Sequence, residues 1–370
     1  MMKWRITFLA AAIMLCGSAG LAQSRRVIPT PTPVPTPEDD TFRVQTEEIK
    51  LNVLAFDEQG QFVGDVKGDD LVITEDNILH QPTSVRRLPA NVLVVMDTGG
   101  ELRVVKSLDE TRKVARLLVD ALRPGDSVSI MAYADKPDIV GEWTTDKAAM
   151  KAAIARTTFG RRSSFVDALK MATNFLTRSG LDNKHLVLIT DGTDSLGRQS
   201  DRFDALQRLM TTDITVHVIG YTSMEATAME ARTKTITNTP APKAIPDEVR
   251  ATLPNGVKDP GVQIGPTINL DRAMIKKIQA HQDDLVKAQQ QLEQVSENTN
   301  GEFLVPQTTD EMEDKAPLVA RMIDSSYVVT YIPKVPVVAT RGVAERNIQV
   351  TSKRAGLVVQ SRRKLLIAQK

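Results

Sequence analysis

The chain has 370 residues, with 47 Lys plus Arg against 46 Asp plus Glu, 4% aromatics and a single cysteine, Cys16. The even charge excludes a broad basic face for nucleic acid, and the sparse aromatics argue against a platform for stacking bases or sugars. One cysteine excludes an intrachain disulfide framework or a cysteine zinc site, and His80, His185, His217 and His281 show no H-E-x-x-H spacing.

Residues 1–22 read as a secretory leader. Lys3 and Arg5 start it, residues 6–15 are apolar, and Gly20 and Ala22 are the small residues before a cleavage point after Ala22. The apolar run is shorter than the ~20 residues of a spanning helix. The cleaved chain is expected to be exported, periplasmic or extracellular, with no membrane span. Residues 23–41 form a proline-rich linker, in which Pro29, Pro31, Pro33, Pro35 and Pro37 impose an extended path.

Residues 42–90 are a β segment. Ile49, Leu51, Val53 and Ala55 alternate with polar residues, and Leu71-Val72-Ile73 follows a turn. Such a segment is thin for a core of its own. Residues 325–370 alternate in the same way, so the two flanks are expected to pair into one β-sandwich-like module.

Between them the rhythm changes. Val92-Leu93-Val94-Val95-Met96 is a continuous apolar run, as in a strand buried on both faces. Val114, Leu117, Leu118, Ala121 and Leu122 then fall at helical spacing before Pro124-Gly125. Further strands are expected at 128–133, 186–189 and 214–219. Helices are expected at 146–155, around Phe165 to Leu176, and around Phe203 to Met210. The alternation predicts an α/β fold with a doubly wound, mainly parallel sheet over residues 91–324. Ligands of such sheets sit beyond the carboxyl ends of the strands. Residues 222–270, with Pro240, Pro242, Pro246, Pro254, Pro260 and Pro266, interrupt the pattern as an exposed insertion. Ile278, Leu285 and Leu292 recur every seven residues, which fits a long domain helix or a dimer seam over 274–297.

Two carboxylates fall at strand ends. Asp97 follows the first apolar strand in Asp97-Thr98-Gly99-Gly100-Glu101, and Asp191 follows another in Ile189-Thr190-Asp191-Gly192. With Ser163 in the loop between them, this order resembles the von Willebrand factor A domain. Residues 294–303, 326–333, 348–350 and 356–359 also resemble a von Willebrand A-related family of acidobacterial secreted proteins. The resemblance implies a Rossmann-type layer and a metal-ion-dependent adhesion site of the form D-x-S-x-S, a later Thr and a later Asp. Here Gly99 and Glu101 replace the two serines. Asp97, Ser163, Asp191 and Glu101 are therefore expected to form a degenerate site. It binds Mg²⁺ or Mn²⁺ weakly, or is closed by Glu101, or is only a pair of structural strand ends. Restoring serines at 99 and 101 is expected to strengthen metal binding.

Val94-Val95-Met96-Asp97-Thr98-Gly99 also matches the hydrophobic-hydrophobic-Asp-Thr-Gly start of aspartic proteases. However, a helix follows where a protease lobe would continue in strands. No G-x-S-x-G and no glycine-rich phosphate loop occurs. The resulting expectation is an exported, non-enzymatic module that binds a protein or an envelope-surface ligand and no nucleic acid. An aspartic-type hydrolase using Asp97, or a purely structural envelope protein, are the alternatives.

Overall fold

The computed structural model describes residues 48–100, 102–195, 197, 199–230, 233, 236–237, 267–268, 272–335 and 343–368. The expected leader and linker, Glu101 and most of the expected 222–270 insertion lie outside these residues. Among the described residues no helix is long and apolar enough to cross a membrane.

The first four strands among the described residues are β1 (Ile49–Phe56), β2 (Leu71–Glu75), β3 (Ile78–His80) and β4 (Ser84–Arg86). The central layer then alternates β5 (Asn91–Asp97), α1 (Leu108–Ala121), β6 (Ser127–Tyr133), β7 (Pro137–Thr144), α2 (Lys147–Ala155) and α3 (Phe165–Arg178). It continues with β8 (Lys184–Thr190), α4 (Gln199–Met210), β9 (Thr215–Gly220) and α5 (Thr222–Glu230). A short antiparallel pair, β10 (Ile236–Thr237) and β11 (Thr267–Ile268), precedes α6 (Arg272–Asn298), β12 (Phe303–Leu304) and α7 (Thr309–Asp324). The chain closes with β13 (Ser326–Tyr331), β14 (Val343–Ser352), β15 (Val358–Ser361) and β16 (Lys364–Ala368).

The central sheet runs β12-β9-β8-β5-β6-β7, parallel except for β7. β5 shows why its apolar run is continuous. Val92, Val94 and Met96 face α1 and α7, while Leu93 and Val95 face α3, α4 and α6. Each face of the sheet thus buries one set, as a doubly wound layer requires. Ser107 caps α1 by accepting from the Glu110 amide at 3.1 Å. β7 is a strand of this sheet that the periodicity does not announce. It is a bulged antiparallel edge, with a short turn from β6 in place of a crossover helix.

The flanks pair as expected. β1 lies between β13 and β15, and β14 pairs with β2. The sheets β15-β1-β13-β4 and β16-β14-β2-β3 enclose one apolar cluster that includes Leu51, Val53, Leu71, Ile73, Val329 and Val350. Neither flank could bury these side chains alone.

One expectation is revised. The insertion does not begin as an exposed excursion, because Thr222, Met224, Glu225 and Met229 of α5 are buried. The sevenfold seam of α6 is used within the chain. Ile278, Leu285, Ala288, Leu292 and Val295 are buried against α5, the sheet and the β5–α1 loop, as in the domain-helix reading of the repeat.

At the opposite end of the sheet from the strand-end carboxylates, two histidines form a buried relay. The Glu302 amide donates to His217 Nδ1 at 3.1 Å, so Nε2 carries the proton and donates to His185 Nδ1 at 3.1 Å. His185 Nε2 then donates to Asn183 Oδ1 at 3.0 Å, and Asn183 donates to the Leu88 carbonyl at 3.0 Å. Burial holds His217 down to about 3. Burial, with the His217 and Arg123 charges, holds His185 well below the ordinary range. Both rings are neutral hydrogen-bonding parts of the core rather than ligands.

Candidate functional site

The strand order places the switch point at β5 and β8: the chain moves outward from β5 through β6 to β7, then returns at β8 on the other side. Asp97 and Asp191 stand at the carboxyl ends of these two strands. The structure brings them together, but through a residue absent from the sequence-based set. The Lys106 ammonium lies between them, 2.7 Å from Asp97 Oδ2 and 2.6 Å from Asp191 Oδ2. All three side chains are closed to solvent, with Lys106 at 1% exposure.

The remaining oxygens are satisfied locally. Asp97 Oδ1 accepts from the Gly99 amide at 3.1 Å, and its Oδ2 also accepts from Thr190 Oγ1 at 3.2 Å. Asp191 Oδ1 accepts from the amide and hydroxyl of Thr193 at 2.8 and 2.7 Å. Thr190 Oγ1 in turn accepts from the Gly192 amide and meets the Tyr133 hydroxyl at 2.6 Å.

Lys106 is held by its backbone. Glu225 of α5, itself buried, accepts from the amides of Val104, Val105 and Lys106 at 2.7, 2.9 and 2.5 Å. This carboxylate folds the β5–α1 loop into one shape, and that shape carries the ammonium inward. Leu102 and Val104 of the loop pack on Met229, Ile278 and Leu285. The apolar contacts and the carboxylate together clamp the loop against α5 and α6.

The electrostatics follow from these contacts. Burial raises the Asp97 carboxyl to about 6, aided by the Asp191 charge and opposed by Lys106. Burial acts on Asp191 too, but the Lys106 charge and the Thr193 donors outweigh it and hold this carboxyl below its usual range. Burial would discharge Lys106, yet two touching carboxylates raise it above the usual lysine value and keep it cationic. Burial likewise raises Glu225, against its amide donors.

Ser163 is buried beside this cluster without reaching the carboxylates. Its hydroxyl donates to the Thr193 carbonyl at 3.0 Å, and its amide donates to Ser195 Oγ at 3.0 Å. Asp194, next in that loop, accepts from the Val166 amide at 2.7 Å and so caps α3 from outside the helix. Glu101 lies outside the described residues.

Gly99 has a structural reason to lack a side chain. A Cβ there would stand 2.0 Å from the Arg162 carbonyl oxygen and 2.9 Å from the Ala134 Cα, both backbone atoms. The expectation that a serine at 99 would supply a metal ligand therefore gives way to a collision. Gly99→Ser is expected to destabilise the protein by about 3 kcal/mol or more, read as a lowered thermal midpoint. An unchanged midpoint would mean that the 160–163 loop is not seated on Gly99.

Residues 92–193 match the von Willebrand factor type A domain family. Over these residues the chain is similar to von Willebrand A domains. No curated protein matches the chain. Similar solved structures include a von Willebrand factor type A protein from Catenulispora acidiphila, 11% identical, covering 89% of this chain and 76% of that one, with a TM-score of 0.41. An aerotolerance-related membrane protein from Bacteroides fragilis is 17% identical over 64% of this chain and 98% of its own, with a TM-score of 0.37. The manganese-loaded TRAP protein of Plasmodium vivax is 9% identical over 85% and 97%, also at 0.37.

The metal of a von Willebrand A adhesion site does not fit these residues. A divalent ion needs a shell of oxygen ligands, and the point between the carboxylates is taken by an ammonium that bonds both. The serine position 99 admits no side chain, and the Ser163 hydroxyl is committed to Thr193. Among the described residues no group of three or more His, Cys, Asp or Glu could hold an ion. Lys106 and Glu225 were missed because neither belongs to the motif. One signal was available: two strand-end carboxylates without hydroxyl ligands call for a counter-charge, and Lys106 is the first lysine after Asp97.

Proposed function

We propose that this von Willebrand A domain is a non-enzymatic interaction module that works without a bound metal ion. Von Willebrand A domains mediate protein interactions. The observation that carries the metal-free reading is the Lys106 ammonium buried between Asp97 and Asp191. It supplies the positive charge that a divalent ion would supply, and it is covalently part of the chain. The same observation disfavours a hydrolase built on Asp97. An aspartic dyad shares a proton between two carboxylates and activates a water. Here both carboxylates are bonded to one ammonium and closed to solvent.

An exported location belongs to the same proposal and rests on the leader-like pattern of residues 1–22.

The direct test is thermal melting of the chelator-treated protein with and without ~5 mM Mg²⁺ or Mn²⁺. A ligand at ten times its dissociation constant would stabilise by about 1.4 kcal/mol. The expected result is an unchanged midpoint. An upward shift that follows ion concentration would defeat the metal-free reading.

A further inference from the structure

The loop between α2 and α3 crosses the sheet end beside the buried Lys106. The Gly160 amide donates to the Thr98 carbonyl at 3.3 Å, and the Ser164 amide donates to the Ala134 carbonyl at 2.9 Å. The Arg162 amide donates to Asp135 Oδ1 at 3.1 Å, and Ser163 reaches Thr193. These bonds tie the loop to the residues that follow β5, β6 and β8 in turn.

This loop is rich in arginine. It carries Arg156, Phe159, Arg161 and Arg162. From the β5–α1 loop, the Arg103 guanidinium lies over the Phe159 ring, 3.9 Å from its centroid. From α1, Arg112 Nε donates to Thr157 Oγ1 at 3.3 Å. Arg156, Arg161 and Arg162 are exposed, and among the described residues none of the three has an ion-pair partner. Of the acids nearby, Asp109 pairs with Arg112 at 3.2 Å, and Asp135 keeps its charge while accepting the Arg162 amide, one carboxylate beside three unpaired guanidinium groups. In a chain of near-even charge this is a concentrated local excess.

We propose that this arginine rim docks an acidic peptide segment of a partner protein, through guanidinium–carboxylate bonds instead of a bridging metal ion. The proposal rests on the metal-free reading and adds the chemistry of the partner. A guanidinium presents a planar fork that matches a carboxylate with two parallel bonds. The Phe159 ring, fixed by Arg103, offers an apolar wall for the aliphatic stem of a glutamate. A rim of one sign also speeds encounter with a partner of the other. The backbone bonds of Gly160, Arg162 and Ser164 hold the loop, so little ordering is needed on binding.

The test is fluorescence anisotropy of a labelled octaglutamate peptide titrated with the full chain at low salt, with and without chelator. Saturable binding is expected, unaffected by chelator and weakened at least about tenfold by Arg161→Glu with Arg162→Glu. Arg161→Lys with Arg162→Lys should weaken it less, because charge remains while the fork is lost. Lys364→Glu, on β16 of the sandwich, should leave it unchanged. All these side chains are exposed, and a melting curve checks that each variant is folded. Undiminished binding by the double glutamate variant would overturn the proposal. So would binding to phosphatidylglycerol vesicles with none to the peptide. Peptide binding that chelator abolishes would defeat the metal-free reading itself, whereas chelator-independent absence of binding would defeat only the arginine assignment.

Discussion

Replacing Lys106 with methionine is expected to lower stability by about 3–5 kcal/mol, the cost of breaking a buried ion pair by removing one partner. Methionine fills similar space, so the loss is electrostatic rather than a cavity. Asp97 and Asp191 would face each other without the ammonium that bonds both. Neither can turn to solvent, because each keeps its other oxygen on backbone amides. The measurement is urea unfolding at pH 7. With a slope of about 2–3 kcal/mol/M, the midpoint should fall by more than about 1 M. The triple variant Lys106→Met, Asp97→Asn, Asp191→Asn should regain part of that loss, since neutral replacement of a whole buried ionic group is often nearly neutral. A single variant as stable as the natural protein would show that the ammonium does not sit between the carboxylates. A triple variant less stable than the single one would show that charge is not what Lys106 balances.

Acid should loosen the other end of the same sheet. His217 has a folded-state value of about 3, against about 6.5 unfolded. A base whose folded value is depressed binds its proton better when unfolded. Its contribution to stability is therefore intact above about pH 6.5 and is lost progressively as pH falls toward 3. At pH 5 the loss from His217 alone is about 2 kcal/mol, from 1.36 kcal/mol for each unit between 6.5 and 5. His185 acts in the same direction. Asp97, raised by burial to about 6, acts in the opposite one, because its protonation favours the folded state. The histidine term is isolated by comparing natural protein with the double variant His185→Leu, His217→Leu. The double variant is less stable at pH 7, since Asn183 Oδ1 and the Glu302 amide each lose a partner. Its stability should nevertheless fall less between pH 6.5 and 4.5 than that of the natural protein. Parallel pH curves for the two would rule out the neutral relay.

The fold was legible where burial is periodic. The run from Val92 to Met96 is apolar at every position because α1 and α7 cover one face of β5 and α3, α4 and α6 the other. The alternation in Ile49, Leu51, Val53 and Ala55 marked a strand with one covered face, and the thinness of each flank implied the partner it found in the other. The two strand-end aspartates were legible for the same reason: a polar residue that ends an apolar run stands where the strand leaves the core. β7 was not, because an edge strand with Pro137, Asp138 and Glu142 lacks both patterns. The α6 seam was visible, but a sevenfold repeat is the same whether the surface it meets belongs to another chain or to its own.

By itself, the sequence determined the alternation of strands and helices along the chain and the two carboxylates at strand ends, since these depend on which residues avoid water along each element. Only the tertiary structure decided what those carboxylates bind. Lys106 is nine positions from Asp97 and 85 from Asp191, and nothing in that spacing aims its ammonium. The aim comes from Glu225, a further 119 positions away, gathering three amides of the loop into one bend. The vacancy of Gly99 was decided in the same way, by the Arg162 carbonyl that packs against it. Contacts between loops depend on the path of the whole chain, and no local period records them.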